Sequence, residues 1–181
     1  PGESILVTDT DGRQVEATVT SVSKSSFDIQ LCSAPTHEPA PETTFVLVQA
    51  LAKGGRDESA IEMATELGVD RIIPWQADRS VVQWKGAKEG KGLEKWRARI
   101  NAAVKQSRRA RIPVLEPVVT SDDLASQIAR AVDSGSTVLA LHESATVGLG
   151  AHLRDLNRAA GTQEGIPRDV WVIVGPEGGI S

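Results

Sequence analysis

Two short segments carry residue types from which a ligand site can be built. One is Gly175-Pro176-Glu177-Gly178-Gly179, directly after the apolar, mostly β-branched run 170–174. Pro176 lacks an N–H and stops a strand. Gly178 and Gly179 allow positive φ and let a ligand approach the backbone closely. The other is Leu141-His142-Glu143-Ser144, at the end of a second apolar run. In a parallel sheet both segments fall on the carboxyl edge, where such sheets bind ligands. Neither offers a nucleophile beside a base, and Ser144 lacks the strained G-x-S-x-G setting of a hydrolase. The pair favours cofactor binding over covalent catalysis. Cys32 is the only cysteine, and His37, His142 and His152 are far apart, so no metal is expected.

A third feature is electrostatic. Of the 20 Lys and Arg residues, ten lie between Lys85 and Arg111, opposed there only by Glu89 and Glu94. That segment carries +8, leaving −12 for the rest of a chain whose net charge is −4. A basic segment on an acidic body is the footprint of a polyanion partner. Gly86, Gly90 and Lys91 superficially suggest a phosphate loop. The spacing is one residue short, and Gly92 stands where a Mg²⁺-binding Ser or Thr is needed. A nucleoside-triphosphatase is therefore rejected. With 3% aromatic residues and no Tyr, a stacking-platform RNA binder is disfavoured too.

The elements that position these residues follow from periodicity. Residues 4–31 read as three short strands, with Asp9-Thr10-Asp11-Gly12 as a hairpin signal. They suggest part of a small barrel (1–33), with more chain expected before Pro1. Residues 34–43 hold Pro35, Pro39 and Pro41 and read as a stiff linker. From 44 onward strands alternate with helices, predicting a parallel sheet. Strands are expected at 44–51, 69–75, 114–119, 137–141 and 170–174. Ser59 with Glu62 suggests a capping box for the first helix, and Gly68 its C-terminal cap. Residues 85–92 read as a loop before a long helix whose stripe is Leu93, Trp96, Ile100 and Val104. Ser121 is the expected cap of the next helix, and 149–156 form the last. No apolar run is long enough to span a membrane, and the lone cysteine fits a reducing cytoplasm.

The ordered motifs resemble the SPOUT methyltransferases, the trefoil-knot class that binds S-adenosylmethionine. Within it the chain is similar to the bacterial enzymes that methylate uridine N3 in small-subunit ribosomal RNA. The likeness rests on Gly175-Pro176-Glu177-Gly178-Gly179, Gln49-Ala50-Leu51-Ala52-Lys53-Gly54, Thr65-Glu66-Leu67-Gly68-Val69 and Asp78-Arg79-Ser80-Val81-Val82. It rests also on Gln106-Ser107-Arg108-Arg109-Ala110-Arg111-Ile112-Pro113 and Leu141-His142-Glu143. The resemblance implies an α/β fold: a SPOUT domain over 44–181 preceded by a PUA-like barrel, both incomplete at their outer ends. In the family a further segment beyond the Gly-rich loop threads the knot. The implied cofactor is S-adenosylmethionine, held by Leu141, His142, Glu143, Gly175, Pro176, Glu177, Gly178 and Gly179. Arg79 and Arg109 are expected to support a uridine anion. Lys95, Arg99, Lys105, Gln106, Arg108, Arg109 and Arg111 are expected to hold RNA. The implied partners are 16S rRNA or the assembled small subunit, and a second copy of the chain in a homodimer. The competing expectation is a noncatalytic RNA-binding module using the barrel and the basic helix.

Overall fold

The computed structural model describes residues 1–160 and 167–180, with the side chains of 155–160 left aside. The N-terminal part is an antiparallel sheet of β1 (Ser4–Thr8), β2 (Arg13–Val22), β3 (Phe27–Leu31) and β4 (Thr36–His37). The β1–β2 turn is closed by Asp9, whose Oδ1 accepts from the amides of Asp11 (2.9 Å) and Arg13 (3.0 Å). The two-residue β4 lies inside the Pro-rich stretch read as linker. It pairs through His37 with Arg13 and through Thr36 with Gln14. Prolines on both sides keep it too short to leave a strand signature.

The second part alternates strictly. β5 (Thr44–Ala50), α1 (Arg56–Glu66), β6 (Arg71–Trp75), α2 (Ala87–Ser107) and β7 (Val114–Leu115) come first. Then come α3 (Ser121–Asp133), β8 (Thr137–Leu141), α4 (Leu149–Ala160) and β9 (Asp169–Val174). The five strands are parallel in the order β7-β6-β5-β9-β8. β5 is apolar on both faces because both are covered. Val46, Val48 and Ala50 pack with Ile73, Trp75, Ile173 and Leu124 of α3. Leu47 and Leu51 pack with Ile61 of α1 and with Trp96, Ile100 and Val104 of α2.

Glycines and prolines move several boundaries. The Ser59–Glu62 capping box does not form. Gly54 and Gly55 are both left-handed (φ 70° and 75°) and turn the chain into α1 at Arg56, which leaves Ser59 inside the helix. Gly68 (φ 103°) follows the α1 C-cap as expected. Residues 85–92 are not all loop: α2 starts at Ala87. Gly92 lies within this helix and must be glycine there because the Trp84 ring occupies the space of a side chain; a Cβ would lie 2.4 Å from the ring. The cap of α3 is Thr120, one residue before the expected Ser121. Its Oγ1 accepts from the Asp123 amide in a reciprocal capping box. The strand expected over 114–119 breaks at Pro117, leaving β7 and a separate bridge between Trp75 and Val119.

The segment after α2 joins the two parts. Thr8 Oγ1 and the Gly12 amide donate to Ala110 O (2.8 and 3.3 Å), and the Ile112 amide donates to Thr10 O (3.3 Å). Arg111 donates to Asp11 Oδ1 (2.8 Å) and Glu38 O (2.7 Å). Gly12 (φ 100°) must be glycine here, since a Cβ would meet the Arg111 guanidinium at 2.5 Å.

Candidate cofactor and RNA site

The sheet order makes β9 the neighbour of both β8 and β5, so the loops leaving all three strands meet on the carboxyl edge. Leu141 is in register with Val174. The Leu141-His142-Glu143 and Gly-rich segments therefore emerge side by side, as their types suggested. His142 Nδ1 accepts from the Ser144 amide (3.1 Å) and lies 2.7 Å from Ser144 Oγ. In the neutral ring its proton is then on Nε2, free to donate. A cavity of about 480 Å³ opens along β8, lined by Leu139, Leu141, His142, Val147, Leu149 and His152. Glu143 is exposed beside it.

The Gly-rich loop is tied down from three directions. Glu177 Oε1 accepts from the Lys53 amide and from Arg56, both at 3.2 Å. The backbone amides of Glu177 and Lys53, with the Arg56 charge, hold the Glu177 carboxyl below the usual range. Gly178 lies against the Arg79 backbone, where a Cβ would come within 3.0 Å of Arg79 O. Gly175 leaves room for the Ile180 side chain, which occupies the place of a Cβ at 2.5 Å. Gly179 (φ 80°) has open space where a Cβ would be. Pro176 is buried. Two buried oxygens flank this loop without a partner among the described residues: Gln49 Oε1 and Ser80 Oγ. Gln49 pairs in register with Val174, and Ser80 follows Arg79. Buried polar atoms are rarely orphaned except where a ligand or water completes them. The bare backbone at Gly179 and these two buried polar oxygens fit a polar cofactor. Arg56, unremarked in the sequence, could have been found only from its place after the Gly54-Gly55 turn.

Arg79 and Arg109, expected to act together, are apart. Arg79 is exposed beside Gly178. Arg109 follows α2, which runs back to the amino edge, roughly 17 Å away for strands of this length. There its guanidinium donates to Thr65 O (2.9 Å) and Val69 O (2.6 Å) and pairs with Asp70 (3.5 Å). Only 16% of its side chain is exposed. On this chain Arg109 closes the α1–β6 turn through these bonds.

The basic segment divides likewise. Lys95 pairs with Glu58, and Arg99 with Glu58 and Glu62, so part of α2 is neutralised by α1. The Lys95 hydrogen bond is the chief cause holding the Glu58 carboxyl below its ordinary value. Arg111 is turned toward β1–β2, where it donates to Asp11 and to Glu38 O. Lys105, Gln106 and Arg108 are exposed toward the amino end. Lys85, Lys88 and Lys91 are exposed at the carboxyl edge, nearest the loops. Among the described residues no cluster of three or more His, Cys, Asp or Glu is placed to hold a metal. None of the described helices is long and apolar enough to cross a membrane.

A parallel sheet with glycine-bearing loops clustered on one edge, beside a helix rich in lysine and arginine, is the arrangement these residues build. Residues 38–181 match the RNA methyltransferase domain family, and the chain belongs to it. It is 38% identical over 182 residues to the ribosomal RNA small subunit methyltransferase E of Mycobacterium bovis, and 27% identical to that of Bacillus subtilis. The first alignment covers 100% of this chain and 65% of the relative; the second covers 99% and 68%. Among solved structures, it is similar to a putative methyltransferase from Legionella pneumophila in complex with bound S-adenosylmethionine (TM-score 0.77, 28% identity). That match covers 99% of this chain and 68% of the other. The fold is shared with a Neisseria gonorrhoeae methyltransferase structure (TM-score 0.76, 23% identity), covering 100% and 69%.

Proposed function

We propose that the protein transfers a methyl group from S-adenosylmethionine to N3 of a uridine in 16S rRNA of the small ribosomal subunit, as a cytoplasmic homodimer. The observation that carries this reading is the meeting of the 141–143 and 175–179 loops on one sheet edge, in a chain of the RNA methyltransferase domain family. S-adenosylmethionine, when bound, supplies an electrophilic methyl group. Leu141, Gly175, Pro176, Gly178 and Gly179 offer a backbone cradle for it. His142 Nε2, Glu143 and the free Gln49 Oε1 are the polar groups at hand. The protein's remaining task is alignment and support of the charge that develops on uracil when N3 loses its proton. Arg79, exposed beside Gly178 and always charged, takes that role. Glu177 serves the loop rather than the proton: its carboxylate is already committed to Arg56 and the Lys53 amide. Lys85, Lys88 and Lys91 then meet RNA phosphates close to the reacting base, while Lys105, Gln106 and Arg108 meet them farther off.

The test uses the full-length gene product with S-adenosylmethionine and either naked 16S rRNA or assembled small subunits. The expected result is cofactor binding and one new N3-methyluridine, mapped by mass spectrometry of nuclease fragments. RNA binding with no cofactor affinity would favour the noncatalytic module instead.

A further inference from the structure

A second cavity, of about 280 Å³, lies at the same sheet edge on the side of α1 and α2. Its walls include Ala52, Lys53, Gly55, Asp57, Trp84 and Lys95. It shares a partition with the Gly-rich loop. The Ala52 amide donates to Asp57 Oδ2 (3.4 Å) and the next amide, Lys53, donates to Glu177 Oε1 (3.2 Å). One carboxylate belongs to the cavity and the other to the cofactor loop, and successive residues hold both. We propose that this cavity seats the methyl-accepting pyrimidine base, splayed out of the RNA. The inference rests on the methyltransferase reading above and adds where the substrate sits.

Its chemistry suits uracil. The base needs a flat apolar wall, and Trp84 provides one. Trp84 is half-buried, set edge-to-face on Trp96 (centroids 5.2 Å apart) and seated over Gly92. An unstacked base in an RNA-binding site is held by such a ring. The hydrogen-bonding edge of uracil reads acceptor, donor, acceptor: O4, N3–H, O2. The wall offers the complement. Gly54 and Gly55 present backbone with open space where side chains would be, and the Gly55 N-cap supplies no side-chain acceptor, although Asp57 Oδ1 takes the Glu58 amide (2.9 Å). The Lys95 ammonium is a second donor source, tethered by Glu58. Between them the Asp57 carboxylate is the acceptor for N3–H. Cytosine would turn an N3 lone pair toward that carboxylate and be repelled. Burial raises the proton affinity of Asp57, with the amides of Glu58 and Ala52 opposing it. Lys88 and Lys91, in the first and second turns of α2, stand where the flanking phosphates would pass.

The test fills the cavity and probes it directly. In the full-length protein Ala52→Leu occupies the space while keeping the Ala52 amide. It should lower kcat/KM for RNA at least tenfold, with S-adenosylmethionine affinity and melting temperature unchanged. An unaltered kcat/KM would make the cavity a packing void. Independently, uridine monophosphate should shift the Trp84 indole N–H resonance, assigned with Trp84→Phe. Cytidine monophosphate should shift it far less, and Asp57→Asn should narrow that difference. A shift with S-adenosylhomocysteine and none with uridine monophosphate would overturn the proposal by giving the cavity to the cofactor. Failure of the wild type to methylate RNA would sink the functional reading, while the nucleotide titration would still decide what the cavity takes.

Discussion

At the residue scale the glycines of the 175–179 loop act by what they leave empty. A Cβ on Gly178 would come to 3.0 Å from the Arg79 carbonyl oxygen, a backbone atom that cannot swing aside. Gly178→Val should therefore push the loop off the Asp78-Arg79-Ser80 turn. We expect S-adenosylmethionine affinity in the full-length protein to fall at least tenfold while RNA binding holds, as measured by calorimetric titration. A folded variant with unchanged affinity would remove the loop from the cofactor site. This glycine was legible in the sequence as a place of close approach, but its neighbour was not. Which backbone abuts a glycine depends on strand order, which alternation alone does not reveal. The same limit hid Arg56 and the partners of Arg109. A guanidinium in a basic run reads as a phosphate ligand until the carbonyls of Thr65 and Val69 are seen to occupy it.

At the element scale α2 serves two purposes along one helix. Its apolar stripe was legible from the spacing of Trp96, Ile100 and Val104, all buried. All five strands and four helices of the parallel part could be read in order for the same reason: apolar runs of strand length alternate with helical periods. Boundary errors fall at Gly55, Gly92, Pro117 and Thr120, where conformation or packing of single residues shifts or breaks an element. The division of its charge was not legible, because the neutralising Glu58 and Glu62 come from α1. Two variants separate the purposes. Lys88→Gln, Lys91→Gln and Lys105→Gln combined should weaken RNA binding and flatten its salt dependence, by up to about 0.7 in log–log slope per lost phosphate contact on single strands. Arg109→Gln should instead cost about 1–3 kcal/mol of stability, because two carbonyls lose a charged donor. Its RNA salt slope should stay as in the wild type. Denaturant unfolding and filter binding over a salt series read both, and a reduced slope in the Arg109 variant would restore it to the RNA face.

At the scale of the whole molecule, the N-terminal sheet sits on the segment 110–112 through few contacts, with Arg111 bridging Asp11 and Glu38. Asp11 is 90% exposed in this pair, so the bond to Glu38 O carries most of its strength. Arg111→Ala should weaken the junction by about 1.5–3 kcal/mol. Limited proteolysis should then cut sooner between 38 and 43, with the parallel sheet left intact; an unchanged rate would show that the backbone bonds of Thr8, Gly12 and Ile112 suffice. The parallel sheet has a different vulnerability. Its middle is closed by β9, which lies between β5 and β8 and pairs Thr44 with Asp169. On the ribosome, β5 must wait for about 120 further residues before its second neighbour exists, roughly 6–24 s at ordinary elongation rates. Through that interval one edge of the apolar strand β5 is bare, an invitation to mispairing or to a chaperone. The 175–179 loop proposed for the cofactor follows β9 directly, so it can settle only once that strand is made, and a ligand present during synthesis would reward chains that close the sheet correctly.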